Sequence, residues 1–270
     1  MRHLLAGENK ALIATRQTRD TWGALATSSI IGHKALAAYD INSLFPLYRY
    51  PDTNLAGPTL FDAADSTTAP GGRRSNLIDT FVAEMETRLH LRFVADGRGD
   101  LQATFGPEDA FDYIYAVFHS PAYRQRYSEF LKTDFPRVPL TGDVNLFHTL
   151  CDCGRRLVAI HLMERRGPRV VSYPAPGDNR VQSVRYGPPE GENKGHVYIN
   201  KTQYFEGVSP EVWGFHVGGY QVAEKWLKDR GGRLLTFEDL TDYMDIIGGL
   251  VETMRLMRDI DEAIVSWPMT

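Results

Sequence analysis

Cysteine is scarce in this chain: its 270 residues hold two, Cys151 and Cys153. Two positions apart on an expected helix, they cannot staple distant segments, which points to a reducing compartment. Long apolar runs are missing as well. Nothing approaches the roughly 20 consecutive apolar residues of a spanning helix, and the first residues show no secretion-type apolar core. The expectation is a cytoplasmic, soluble chain with no membrane partner.

The third absence is a catalytic motif. The phosphate loops G-x-x-x-x-G-K and G-x-G-x-x-G do not occur, and neither does a G-x-S-x-G nucleophile elbow. The Asn/Asp-Pro-Pro-Tyr/Phe motif of adenine methyltransferases is missing too. Gly187–Glu190 (GPPE) carries two prolines without the amide or the ring. His119 precedes Ser120, but neighbours at a helix end do not form a nucleophile–base pair. His216 has no such serine either. His148, Cys151, Cys153 and His161 invite a zinc reading, yet one helix lacks the two separate knuckles such sites use. No catalytic site and no metal site are expected; the rivals are a small hydrolase or nuclease using His119 or His216, and a protein-interaction subunit whose acidic last helix binds a partner.

What is present is ordinary globular material, 43% apolar and 24% charged, with net charge −4. The charge is unevenly spread. Arginines dominate from Arg155 to Arg185, and carboxylates from Glu238 to Glu262. Two readings stay open: a nucleic-acid face backed by a protein-facing one, or solvated helix faces of opposite sign.

Ala11–Arg16 and Ala24–Ile31 read as short strands, and Phe45–Tyr50 as an edge strand because of Pro46. The stretch 52–75, rich in Pro, Gly, Asp, Ser and Thr, reads as a mobile loop. Ser75 is expected to cap a helix continuing through Leu89. Pro107 opens another helix and Pro121 the next, with a long one from Val144 to Met163. Strands follow at Arg180–Tyr186 and His196–Asn200. Val212–Val217 is expected as a strand or irregular segment, Tyr220–Asp229 as a helix, and Thr236 and Asp239 as the N-cap and first turn of the last helical region. The fold class is α+β, with short mixed or antiparallel strands in two groups between long helices, as two lobes. The division is drawn at residues 1–74, strand-rich, and 75–270, helical and mixed.

Candidate contact residues stand at strand ends and in loops. Arg16 and Gln17 follow the first strand, and Arg73 and Arg74 end the polar loop. Lys201 and Gln203 leave a later strand beside Tyr204 and Phe205, expected to anchor it. Arginine and glutamine can read base edges bidentately, and lysine neutralises phosphate. Gly218–Gly219 lacks a phosphate-loop context and reads as a bend before an amphipathic helix with Val222, Trp226 and Leu227 inward.

The segments MRHLLAGENKALIATRQ, FPLYRYPD, EDAFDYIYAVFHSPAYRQRYSEFLKTDFPRVPL, YINKTQYFEGV and VWGFHVGGYQVAEKWLKDR together resemble the C-terminal specificity region of type ISP restriction–modification enzymes. The resemblance runs in order over nearly the whole chain. It implies a target-recognition domain for double-stranded DNA, without catalysis of its own. It would serve an adenine-N6 methyltransferase domain of the same or a partner polypeptide. S-adenosylmethionine, ATP and magnesium would belong to family domains outside this chain. An excised domain, a truncated frame or a split subunit would each account for its extent.

Overall fold

The computed structural model describes residues 1–32, 34–37, 39–51, 72–190 and 194–269. Most of the expected 52–75 loop lies outside these residues. A short helix α1 (Arg2–Leu5) precedes strands β1 (Ala11–Thr15), β2 (Ala24–Thr27) and β3 (Asn42–Pro46). They form an antiparallel sheet in the order β2-β1-β3, with Ala11 opposite both Thr27 and Pro46. Proline is tolerated there because β3 is an edge. Small strands β4 (Tyr48–Arg49) and β5 (Arg74–Ser75) pair next.

Helix α2 (Asp79–Leu89) starts three residues later than a cap at Ser75 predicts. The Ser75 hydroxyl accepts from the Leu77 N–H, but Arg74–Ser75 is held extended by its pairing with Tyr48–Arg49. Strands β6 (Arg92–Phe93) and β7 (Thr104–Phe105) are parallel. Pro107 does open α3 (Pro107–His119), and Pro121 opens α4 (Pro121–Arg126), capped by the Ser120 hydroxyl. A break at Tyr127 then separates α5 (Ser128–Thr133). Asp143 caps α6 (Val144–His161) by accepting from Asn145 and Leu146 N–H groups. Helix α6 crosses α3 so closely that any side chain at Gly154 would strike the Asp112 carbonyl.

The second strand group is β8 (Arg185–Gly187), β9 (His196–Tyr198) and β10 (Tyr204–Glu206), antiparallel in the order β10-β9-β8. Residues 210–213 are a helical turn, α7 (Pro210–Trp213), which takes the first two residues of the expected strand or irregular segment 212–217. Ser209 caps it and Pro210 occupies its first position, which favours a helix start. A hairpin of β11 (His216–Val217) and β12 (Tyr220–Gln221) leads into α8 (Val222–Lys228). The last helix, α9 (Phe237–Ala263), starts in the capping box of Thr236 and Asp239.

Two apolar cores make the two lobes. One gathers Ala14, Trp22, Leu47, Tyr113, Phe147 and Leu157, and the other Val197, Phe205, Leu227 and Tyr243. Residues on both sides of position 74 share the first core. Helix α9 joins the lobes. Its Tyr243, Ile247 and Leu250 belong to the second core, its Leu256 and Ile260 to the first.

Part of the uneven charge is answered internally. Arg156 meets Glu252 at 2.9 Å and Arg166 meets Asp245 at 3.1 Å, so arginines on and after α6 answer carboxylates of α9. Cys151 and Cys153 are free and buried, the first donating to the Asp109 carbonyl. A directed relay also crosses the first core. The Ala26 N–H donates to the Tyr115 hydroxyl, which meets His161 Nδ1 at 2.6 Å. His161 Nε2 meets the Thr253 hydroxyl at 2.9 Å, and that hydroxyl donates to the Gly249 carbonyl. Each partner is satisfied in this direction when His161 is neutral with its proton on Nε2.

Candidate nucleic-acid interface

β1 delivers its last residue to a loop held from three sides. The Thr18 N–H donates to the Lys132 carbonyl at 3.2 Å, and the Thr18 hydroxyl donates to Asp40 at 2.6 Å. Trp22 is buried edge-on against Phe118, with ring centroids 5.4 Å apart. This pinning leaves Arg16, Gln17 and Arg19 turned outward from a fixed backbone. They line a cleft of about 610 Å³ with Tyr39, Ile41 and Lys132. Tyr39 and Ile41 are 81% and 74% exposed, an aromatic and an aliphatic surface beside three cations. Arg16 is 68% exposed and pairs with Asp134 at 3.2 Å. Such an exposed pair is worth little.

The other candidates separate. Arg73 is committed inside the chain. Its guanidinium makes two bonds to Asp96, of 2.8 and 3.1 Å, and lies 4.0 Å over the Tyr48 ring. That bidentate pair holds it charged well above the usual range and uses the fork a base would need. Arg74 is exposed on β5.

Gln203 is corrected outright. It is 1% exposed. Its carbonyl accepts from Asn179 N–H and Asn200 Nδ2, and its amide donates to Asn179 Oδ1 and the Ala175 carbonyl. It locks the 175–179 segment to the β9–β10 turn and has no group left for a ligand. Lys201 is exposed on that turn.

The outward face of the β8–β10 sheet carries groups that the strand-end reading missed. Arg185, Tyr198 and Tyr204 stand opposite one another across the three strands. The Arg185 guanidinium lies 4.0 Å over Tyr198, and His196 stacks on Tyr204 at 4.2 Å. Tyr186, Val197 and Phe205 take the inner face. Tyr204 is thus on the outer face and Phe205 alone is the core anchor. Period-two alternation in HVY and YFE was the available signal.

His119 and His216 make no catalytic pair. His119 is buried and held neutral by burial and the Arg124 charge, with Nδ1 on the Tyr115 carbonyl at 2.8 Å. His216 is exposed, its Nδ1 2.7 Å from the Gly214 carbonyl. Among the described residues, no three His, Cys, Asp or Glu side chains gather as metal ligands. No helix among them is long and apolar enough to cross a membrane.

Gly218 and Gly219 form the β11–β12 turn, not a bend between strand and helix. Gly218 has φ +58°, and a Cβ there would strike the Leu36 carbonyl. The Gly219 N–H donates to that same carbonyl at 2.9 Å. The pair docks the hairpin onto the first lobe.

Among the described residues, a fixed strand-end cleft and a separate aromatic sheet face stand out as built surfaces. Residues 1–259 match the family of the Type ISP C-terminal specificity domain. The chain belongs to that family, a specificity domain rather than a catalytic one. No curated protein sequence matches it significantly. Solved structures share its fold over 98% of its length. The DrdV–DNA complex is similar with TM-score 0.63 and 18% identity, over 25% of that chain. A nuclease-deletion mutant of the Type ISP enzyme LlaGI gives 0.59 and 17%, over 22% of its chain. The Type ISP enzyme LlaBIII gives 0.61 and 14%, over 16%. This chain therefore spans a quarter or less of those polypeptides.

Proposed function

We propose that this chain recognises a short sequence in double-stranded DNA for a Type ISP restriction–modification enzyme. The match over residues 1–259 carries this reading. The solved relatives DrdV, LlaGI and LlaBIII were captured with DNA or a DNA substrate mimic. Recognition would direct an adenine-N6 methyltransferase domain of the same or a partner polypeptide, in the cytoplasm. S-adenosylmethionine, ATP and magnesium would be bound by other domains.

The cleft supports a division of labour. Arg16 and Gln17 stand on a pinned loop, as base-reading side chains must, and Arg19 and Lys132 supply backbone charge. The test is selection of bound duplexes from a random pool by the full 270-residue chain. Enrichment of one short sequence is expected, with affinity falling steeply as salt rises. Uniform recovery of all sequences would refute sequence recognition.

A further inference from the structure

Arg19 and Lys132 also line a second cavity, of about 620 Å³. Its remaining walls include Arg124, His216 and the backbone of Gly218–Gly219, so it opens where the docked hairpin meets the first lobe. Arg124 is partly buried there. Its Nε donates to the Phe118 carbonyl at 2.6 Å, and its guanidinium lies 5.8 Å from the Trp22 ring.

Neither Arg124 nor Arg19 has a carboxylate partner among the described residues. Asp20 is the carboxylate on the wall, and it packs against Gly219. A withdrawn guanidinium without a counter-charge is costly unless a ligand supplies one. The Arg124 charge also helps hold the neighbouring His119 and His161 neutral, so neither ring offers it a counter-charge. Arg124 itself, lowered to about 10 by burial, stays charged at neutral pH. The Gly219 N–H is committed to the Leu36 carbonyl and is not a donor to the cavity.

We propose that this cavity binds a phosphate oxyanion of the DNA backbone, with Arg124 at its base and Arg19 and Lys132 at its mouth. The assignment rests on the DNA-binding reading above. It makes the lobe junction a clamp that positions the duplex beside the base-reading cleft.

Two measurements on the full chain test it. The first is thermal melting in sodium phosphate against sodium chloride of equal ionic strength. Phosphate should raise the midpoint of the wild type and of Arg124→Lys, and should do so less or not at all for Arg19→Gln and Arg124→Gln. The second is duplex affinity across salt. Arg19→Gln should weaken binding to every sequence alike and lower the logarithmic salt slope by about one. Full phosphate stabilisation in both glutamine variants would sink the cavity assignment, and Arg19→Gln alone keeps that test open if Arg124→Gln misfolds. Arg124-dependent phosphate stabilisation with an unchanged salt slope would overturn the DNA backbone as its source. If the wild type binds no duplex, the DNA reading falls, and the melting arm still decides whether the cavity takes phosphate.

Discussion

Gln203 and Lys201 differ by two positions, and the structure gives them opposite fates. The glutamine amide satisfies Asn179 and Asn200 in the interior, while the lysine stands in solvent. Gln203→Ala is therefore expected to cost about 1–3 kcal/mol of stability through the buried polar groups it orphans. Base preference should stay unchanged. Denaturant unfolding with a mismatch panel checks both, and altered preference at full stability would restore it as a reader. Arg16→Ala should do the reverse. Stability should hold, because its pair with Asp134 is exposed, and discrimination at one base pair should fall by about 1–3 kcal/mol. Equal loss against every duplex would mean that Arg16 contacts phosphate only.

At the scale of elements, the hairpin tip and the polar relay carry most of the tertiary information. Gly218→Val forces a β-branched residue into φ +58° against the Leu36 carbonyl. It should cost about 1–3 kcal/mol and loosen the hairpin from the first lobe. A melting temperature equal to that of the wild type would show that the turn tolerates a side chain. The relay makes a pH prediction. His161 is lowered to about 4 by burial and then by the Arg124 charge. A depressed folded value means that the unfolded chain binds the proton more readily as pH falls below about 6.5. Stability from neutral His161 is thus complete above that pH and lost toward pH 4, by up to about 3 kcal/mol. The difference between wild-type and His161→Gln unfolding energies, followed from pH 7 to 4, isolates this histidine from other titrating groups. Parallel profiles would contradict the neutral relay.

For the whole molecule, α9 decides cooperativity. One 27-residue helix, about 40 Å long at 1.5 Å per residue, supplies apolar side chains to both cores. Neither core is complete without it. Heat or denaturant should therefore unfold the chain in one transition, with tryptophan signals from Trp22 in the first lobe and Trp226 in the second changing together. Single-tryptophan variants would read each separately, and two separated midpoints would show that the lobes fold independently.

Much of this was legible in the sequence for local reasons. Pro107 and Pro121 announced helix starts because proline suits the first helical position, and Thr236 with Asp239 announced α9 through their reciprocal cap. Pro46 marked an edge, and the missing catalytic motifs agreed with a specificity domain. The order of motifs carried the family. What tertiary structure alone decided involves partners far apart in the chain. Arg73 is spent on Asp96, Gln203 on Asn179, and Gly218 is required by Leu36. Part of the charge asymmetry was answered when Arg156 and Arg166 met Glu252 and Asp245 of α9. The same holds for the cationic cleft, where a loop after β1 acquires Lys132 from α5. Caps and edges are set by residues a few positions apart, so sequence alone determines them. Whether a polar side chain is free for a ligand depends on which distant group folding brings against it, and only the folded chain settles that.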